Sequence, residues 1–348
     1  MPAEPGTVLE ISAPDDWHVH LRDGEALSAV APFTARQFRR AIVMPNLRPP
    51  IQTVGEAEAY RKRILEACGD AAFAPLMTLY LTETTEPEEV DRAAASEFVA
   101  GIKLYPAGAT TNSEAGVHSL SGLYRVFERM EERDLVLEVH GEVTDRQADV
   151  FDRERLFLER ELAPLVERFQ RLRVVFEHVT TREAVDFVRE TKGRVGATIT
   201  PQHLLLNRNA LFAGGIRPHN YCLPVLKREE HRRALVDAAT SGHSRFFLGT
   251  DSAPHSRSSK ETACGCAGVF SAPLALELYA EVFDNEDRLD QFEAFASTNG
   301  PAFYGLPKNT DRVRLCKQPR AVPTEYDFGS ETIVPFRAGE QVSWVLLA

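Results

Sequence analysis

His18 and His20 are separated by a single residue in Asp16-Trp17-His18-Val19-His20-Leu21. In a β-strand both imidazoles would leave the same face, because strand side chains repeat every two residues. Two further histidines, His140 and His178, close the apolar runs Leu-Val-Leu-Glu-Val-His and Val-Val-Phe-Glu-His. Asp251 closes Phe-Phe-Leu-Gly-Thr-Asp, and Lys103 lies inside Gly-Ile-Lys-Leu-Tyr-Pro. Neutral imidazoles and carboxylates are good zinc ligands. Gathered from separate strand ends, these six residues predict a two-metal hydrolytic centre. Each alone has a plainer explanation. A strand-end His is commonly a satisfied core residue, an Asp there can cap the next helix, and a Lys can snorkel or pair with an acid. The Lys is the sharpest of them, since an isolated ammonium inside a strand is costly. Carboxylated by CO2 it becomes a carbamate anion whose two oxygens can bridge two cations.

Eight runs could carry such a set. Residues 16–21, 41–45, 75–81, 101–105, 135–140, 174–178, 195–200 and 246–251 read as strands, which is the strand count of a (β/α)8 TIM barrel. Between them lie amphipathic stretches. Residues 119–133 place Leu120, Leu123, Phe127 and Met130 on one stripe. Residues 152–170 do the same with Leu158, Leu162, Leu165 and Phe169, with Pro164 expected to kink them. Residues 53–68, 86–98, 181–191 and 227–240 read as further helices, and 202–224 as an irregular loop. Helices are expected at 272–284 and 290–304. Beyond Gly305 the chain reads as turns and short extended pieces, such as 332–336 and 342–347. The expected organisation is one domain over 1–348, with a barrel core at about 15–284 and a short C-terminal extension at about 285–348.

The bulk properties suit an enzyme of small molecules. The chain has 348 residues, 43% of them hydrophobic and 26% charged. A net charge of −11, with no basic run, argues against nucleic-acid binding. No apolar run approaches the roughly 20 residues that span a bilayer. The first eleven residues have neither the basic nor the apolar part of a signal peptide. Five cysteines without a framework pattern suit a reduced cytoplasmic location.

The remaining features divide by context. Cys264-Gly265-Cys266 suggests metal or redox work no more strongly than a plain loop. His203, His219, His231 and His243 read as structural or surface residues. The loop 106–118, built from small and polar residues, follows Lys103 directly and so must emerge beside the predicted metals. It is expected to act as a lid, with Thr110 and Thr111 donating hydroxyl hydrogen bonds to a ligand. The alternative is an ordinary solvated connection.

Several longer segments resemble the dihydroorotases of the amidohydrolase superfamily, in their shorter bacterial type. They are His18-Val19-His20-Leu21-Arg22-Asp23, Met44-Pro45-Asn46, Gly101-Ile102-Lys103-Leu104-Tyr105-Pro106 and Gly249-Thr250-Asp251-Ser252-Ala253-Pro254-His255. Ala109-Thr110-Thr111-Asn112-Ser113, Thr200-Pro201-Gln202-His203-Leu204, Tyr221-Cys222-Leu223-Pro224 and Cys264-Gly265-Cys266-Ala267-Gly268 extend the match. The resemblance implies two Zn2+ per chain. His18, His20 and Asp251 would bind one ion, His140 and His178 the other, and Lys103, as N6-carboxylysine, would bridge them. Arg22, Asn46 and His255 would hold the substrate carboxylate. Main-chain groups of Leu223 and Ala267 would meet the ring amide, and the Cys-rich loop would line the substrate. The implied reaction is the reversible cyclisation of N-carbamoyl-L-aspartate to L-dihydroorotate and water, a step of pyrimidine synthesis. In its hydrolytic direction a hydroxide between the ions attacks the ring carbonyl, while Asp251 serves as general base and then acid. A homodimer is implied as well.

Two other readings compete with this one. A hydantoinase or allantoinase would share the metal ligands but has no use for the carboxylate-binding set of Arg22, Asn46 and His255. A non-catalytic barrel that assembles with another pyrimidine enzyme would be marked by lost ligands, and none of the six is lost.

Overall fold

The structure is a computed structural model that describes residues 2–347. The chain begins with a short strand, β1 (Val8–Ser12), and then enters the barrel at β2 (Asp15–Val19). The barrel continues through β3 (Arg40–Val43), β4 (Ala74–Tyr80), β5 (Val99–Leu104), β6 (Val136–Val139), β7 (Arg173–Phe176), β8 (Arg194–Ile199) and β9 (Phe246–Leu248). All eight are parallel and pair in sequence order. The seam between first and last is drawn shut just past β9. There Asp251 N–H donates to His18 O at 2.9 Å, and His20 N–H to Ser252 O at 3.0 Å. The expected (β/α)8 barrel is therefore the fold, and every expected strand is present, shorter by one to three residues at its C-terminal end in each case.

Alternation within the strands sorts the side chains. Ile102 and Leu104 face outward into the main core against the helices, while Lys103 between them faces inward. At the foot of the barrel Trp17, Ile42, Val136, Val175 and Phe247 form a separate cluster. Tyr304, from the helix Asn299–Tyr304, enters it and stacks on Trp17 at 4.6 Å. This apolar floor leaves the polar side chains one opening, at the C-terminal ends of the strands, where barrel active sites are built.

The helices follow the amphipathic stretches. Thr53 caps Val54–Cys68 with a full capping box through Glu56. Pro164 does not break the helix across 153–168. A π turn at Leu158–Leu162 precedes it and absorbs the missing N–H. A second π turn, Ala294–Thr298, interrupts the stretch 290–304. The helix Gly24–Gln37, outside the expected set, carries Pro32 within it and still packs Leu27, Val30 and Ala31 inward. Residues 202–224 are partly ordered, by a short helix Pro201–Leu205 and two 3-10 turns.

The tail corrects one expectation. Beyond Gly305 lies not only short extended chain but a ten-residue strand, β10 (Arg312–Ala321). The hairpin β11 (Tyr326–Phe328) and β12 (Glu331–Ile333) follows, then β13 (Gln341–Leu346). β10 pairs antiparallel with both β1 and β13, so the two ends of the chain share one sheet. Its sequence, RVRLCKQPRA, buries only Leu315 fully, and its register shifts between Lys317 and Arg320, beside Pro319. Such a strand has no apolar alternation to announce it. A partner about 300 positions away supplies its hydrogen bonds.

Candidate metal centre and substrate cavity

His18 and Lys103 lie within their strands, and His20 and His140 one residue past theirs. His178 lies two residues past β7 and Asp251 three past β9. The last two bend back through the left-handed region, at φ 40° and 43°. This matters for direction. Glu177 and His178 are neighbours and would face opposite ways in a regular strand. The turn at His178 lets both face the barrel mouth. Arg22, at φ 60°, is a third residue held in this region. Such conformations cost of order 1 kcal/mol each and persist where the surroundings impose them.

The structure brings His18, His20 and Asp251 together, with one possible ligand atom of each within 4.8 Å of the others. The Nε2 atoms of His18 and His20 are 3.4 Å apart. Asp251 Oδ1 lies 3.4 Å from the first and 3.1 Å from the second. The opposite ring nitrogens are already committed. His18 Nδ1 donates to Glu177 Oε2 at 2.8 Å, and His20 Nδ1 to Asn46 Oδ1 at 2.9 Å. With those protons on Nδ1, both Nε2 atoms carry lone pairs aimed at each other and at a carboxylate. A cation among them removes that conflict.

The second half of the site is equally buried. His140 Nδ1 lies 3.3 Å from His178 Nε2, and His140 Nε2 is 2.9 Å from Glu142 Oε2. The His178 ring packs 4.9 Å from that of His18, joining the two halves. Burial and the neighbouring Lys103 and imidazoles hold His18 and His178 well below the usual imidazole range. They are thus neutral, as metal ligands must be. Lys103 is fully buried and its Nζ has no hydrogen-bond partner. Burial lowers its amine from the ordinary value, against the opposing pull of Glu177, Glu138 and Asp251. An orphaned amine of lowered basicity beside unsatisfied imidazole lone pairs fits a dinuclear site that the amine completes once modified. The donor set of imidazoles and carboxylate fits zinc.

Carboxylates outside the cluster hold its residues in place. Asp16 accepts from the N–H of both Thr250 and His18 at 2.8 and 3.2 Å, and from Thr250 Oγ1 at 2.6 Å. It thereby stitches the seam where His18 and Asp251 meet, and burial pushes its carboxyl up to about 7. Glu154 accepts four N–H and hydroxyl groups from Thr180 and Thr181, fixing the turn that follows His178. The sequence reading missed Asp16, Glu142, Glu154 and Glu177. Glu177 had a signal, being an acid within an apolar run.

A cavity opens above this cluster. It is lined by His20, Arg22, Asn46, Thr110, Thr111, Leu223, Asp251, Ala253, Ala267 and Gly268. All the substrate-binding residues expected from the resemblance line it, except His255. That ring lies behind the wall, 3.0 Å from both Arg22 Nη2 and Ala267 O. Asn46 is tied on both sides, accepting from His20 and donating to Thr111 O at 3.0 Å. The loop 106–118 sits against the site. Asn112 Nδ2 donates to Asn46 O at 3.0 Å, and Ser113 Oγ accepts from Thr110 N–H at 2.8 Å and donates to Thr110 O at 2.6 Å.

The remaining expected residues fall elsewhere. His203 is buried and structural, its ring joining Thr200 Oγ1 to Pro224 O. His219 pairs with Glu261 near the surface. Cys264 and Cys266 are free thiols on the loop that carries Ala267. No helix among the described residues is long and apolar enough to cross a membrane.

Comparison with known proteins agrees with this architecture. The sequence profile of the amidohydrolase family matches residues 4–341. A dihydroorotase of Nitrosomonas europaea is 61% identical over 341 residues, covering 97% of this chain and 98% of the relative. The crystal structure of a dihydroorotase from Campylobacter jejuni superimposes with a TM-score of 0.91 at 36% identity, over 99% of each chain. A dihydroorotase from Saccharomyces cerevisiae, solved in complex with 5-fluoroorotic acid, gives 0.90 at 34% identity over 98% of each chain. The chain therefore belongs to the amidohydrolase family, among its dihydroorotases.

Proposed function

We propose that the chain catalyses the reversible cyclisation of N-carbamoyl-L-aspartate to L-dihydroorotate and water, as a step of pyrimidine synthesis. One observation carries this reading: a single cavity has the His20–Asp251 edge of the cation cluster on one side and Arg22 on another. A small anionic cyclic amide needs both. Two zinc ions are the proposed metals, held by His18, His20 and Asp251 and by His140 and His178, with carboxylated Lys103 shared between them. Reaction of the neutral Lys103 amine with CO2 forms an N–C bond and releases one proton, and burial favours the neutral amine. When bound, the ions supply Lewis acidity, which makes water nucleophilic near neutral pH and polarises a carbonyl.

The protein's own groups do the rest. The Arg22 guanidinium receives the substrate carboxylate, as its planar fork suits. Its own Nε is held by Pro254 O at 2.9 Å. Asn46 and His255 position the neighbours of that carboxylate. In hydrolysis Asp251 accepts the proton of the attacking water and delivers it to the ring nitrogen as the C–N bond breaks. Leu223 and Ala267 present main-chain groups to the ring amide. Five free cysteines suit a cytoplasmic setting.

The test is turnover of dihydroorotate before and after chelation, beside hydantoin and allantoin. Selective, chelator-sensitive turnover of dihydroorotate is expected. Preference for hydantoin would make this a different cyclic amidase, and an inactive metal-free protein would make it a scaffold. The same assay carries a pH prediction. Ring closure replaces a carboxylate by an amide and consumes one proton. The ratio of dihydroorotate to carbamoyl aspartate at equilibrium should therefore fall about tenfold per pH unit between about pH 6 and 8. A ratio flat across that range contradicts the assignment.

The loop 106–118 supports a lid role through Thr110 and Thr111. Their backbone groups are already bonded to Ser113 and Asn46, so removing a hydroxyl leaves the loop docked. A hydroxyl hydrogen bond to a charged ligand contributes roughly 1.5–3 kcal/mol. Thr110→Ala and Thr111→Val should each lower kcat/KM by about ten- to a hundredfold at unchanged zinc content. Wild-type kinetics in both would leave the loop a plain connection.

A further inference from the structure

Outside the metal cluster one buried lysine spends all its donors on main-chain carbonyls of the cavity wall. Lys260 is 3% exposed, and its Nζ donates to Tyr221 O at 2.8 Å, Cys266 O at 2.8 Å and Gly268 O at 2.6 Å. An ammonium has three donors, and here all three end on main-chain carbonyls. Those carbonyls belong to the two segments that form one wall of the cavity, the first carrying Leu223 and the second Ala267. The two Lys260 contacts to this loop therefore pin the carbonyls on either side of Ala267, those of residues 266 and 268.

Pinning carbonyls orients amides. The N–H of residue 267 shares a planar trans peptide with the carbonyl of residue 266 and points the opposite way. With Cys266 O drawn to the ammonium, Ala267 N–H is turned away from it. Neither Ala267 N–H nor Leu223 N–H has an acceptor among the described residues, though both residues line the cavity. The two segments already share one backbone bond, Gly268 N–H to Tyr221 O at 2.9 Å. Gly268 is also pressed so close that a Cβ there would lie 2.4 Å from Ala253 O. A mere tether is thus already present, and burying an ammonium as a second one would be costly. What the ammonium adds is the fixed orientation of the peptide planes.

We infer that Lys260 is a positioning residue for substrate recognition: through Cys266 O it orients the free Ala267 N–H toward the ring amide, and through Tyr221 O it holds the segment that carries Leu223 against the same wall. The inference rests on the proposed reading of the cavity. Lys260 has to be charged to hold all three carbonyls, since a neutral amine has two donors and a lone pair. From the packed segments it faces the Tyr221 ring, the Cys222 and Cys266 thiols and, farther off, His255. Burial pulls its pKa down to about 8.

The experiment compares wild type with Lys260→Met, which keeps the volume and removes the donors. Metal-loaded proteins are assayed for KM and kcat with dihydroorotate, for zinc content and for Tm. KM is expected to rise about tenfold or more, as for a lost charge-assisted contact. The kcat should change by less than about threefold, with zinc content equal to wild type. A lowered kcat at unchanged KM would mark loss of folded protein and overturn the inference, as would wild-type values for both. Should the variant fail to fold, the wild-type KM is followed from about pH 7 to 9.5. It should climb as Lys260 loses its proton, and a flat KM overturns the inference. Wild type that does not turn over dihydroorotate at all would instead refute the proposed function.

Discussion

Replacing Lys103 with alanine is expected to lower kcat/KM for dihydroorotate by about 10^3-fold, roughly 4 kcal/mol of transition-state stabilisation. It should strip most of the metal as well. The side chain is buried beside His18, His178 and Asp251 and has no hydrogen bond to lose. For the metal-free protein two effects oppose each other. Deleting the long side chain leaves a cavity that costs about 2–5 kcal/mol. Removing a buried amine with no hydrogen bond returns about 1–3 kcal/mol. The metal-free wild type and variant should therefore melt within a few degrees of each other. Metal should widen that gap, because ions that bind only the folded state stabilise it by mass action. Elemental analysis and thermal melts with and without chelator check this. A short carboxylic acid added to the variant should restore part of the activity by standing in for the carbamate. Lys103→Ala with near wild-type rate and metal content would remove the bridging role.

Asp251→Asn should lower kcat by about 10^2- to 10^4-fold, the range a general base contributes. Asparagine keeps the size and one oxygen of the side chain but cannot take up a proton. The backbone favours this substitution over others. Asp251 sits at φ 43°, and Asn is among the residues that accept the left-handed region most readily. Alanine there would add strain of about 1 kcal/mol and blur the outcome. The seam hydrogen bond from Asp251 N–H to His18 O at 2.9 Å is main-chain and survives. Melted with chelator, so that loss of a metal ligand does not enter, the variant should therefore keep a Tm near that of metal-free wild type, while kcat collapses. A drop in this metal-free Tm of more than about 5 °C would show that Asp251 mainly holds the fold. An active Asn variant would place the proton transfer elsewhere.

The barrel and the identity of the six cluster residues were legible in the sequence because both rest on local rules. Strand period sends Lys103 inward between Ile102 and Leu104, and each chemical residue follows an apolar run that must be buried. The tertiary structure decided what those rules do not reach. The His18–Glu177 contact joins positions 159 apart, and the Asp16–Thr250 clamp joins positions 234 apart. His178 turns inward beside Glu177 only because its backbone is left-handed, which breaks the alternation that sequence reading assumes. β10 is a strand because β1 and β13 supply its hydrogen bonds, not because of its own side chains. Lys260 has no charged partner within its segment, and its three acceptors are carbonyls, which every residue has. Sequence thus determined which side chains could bind cations and on which elements they lie. Folding decided which nitrogen of each histidine is free and which backbone amides face the cavity, since those depend on contacts between segments far apart in the chain.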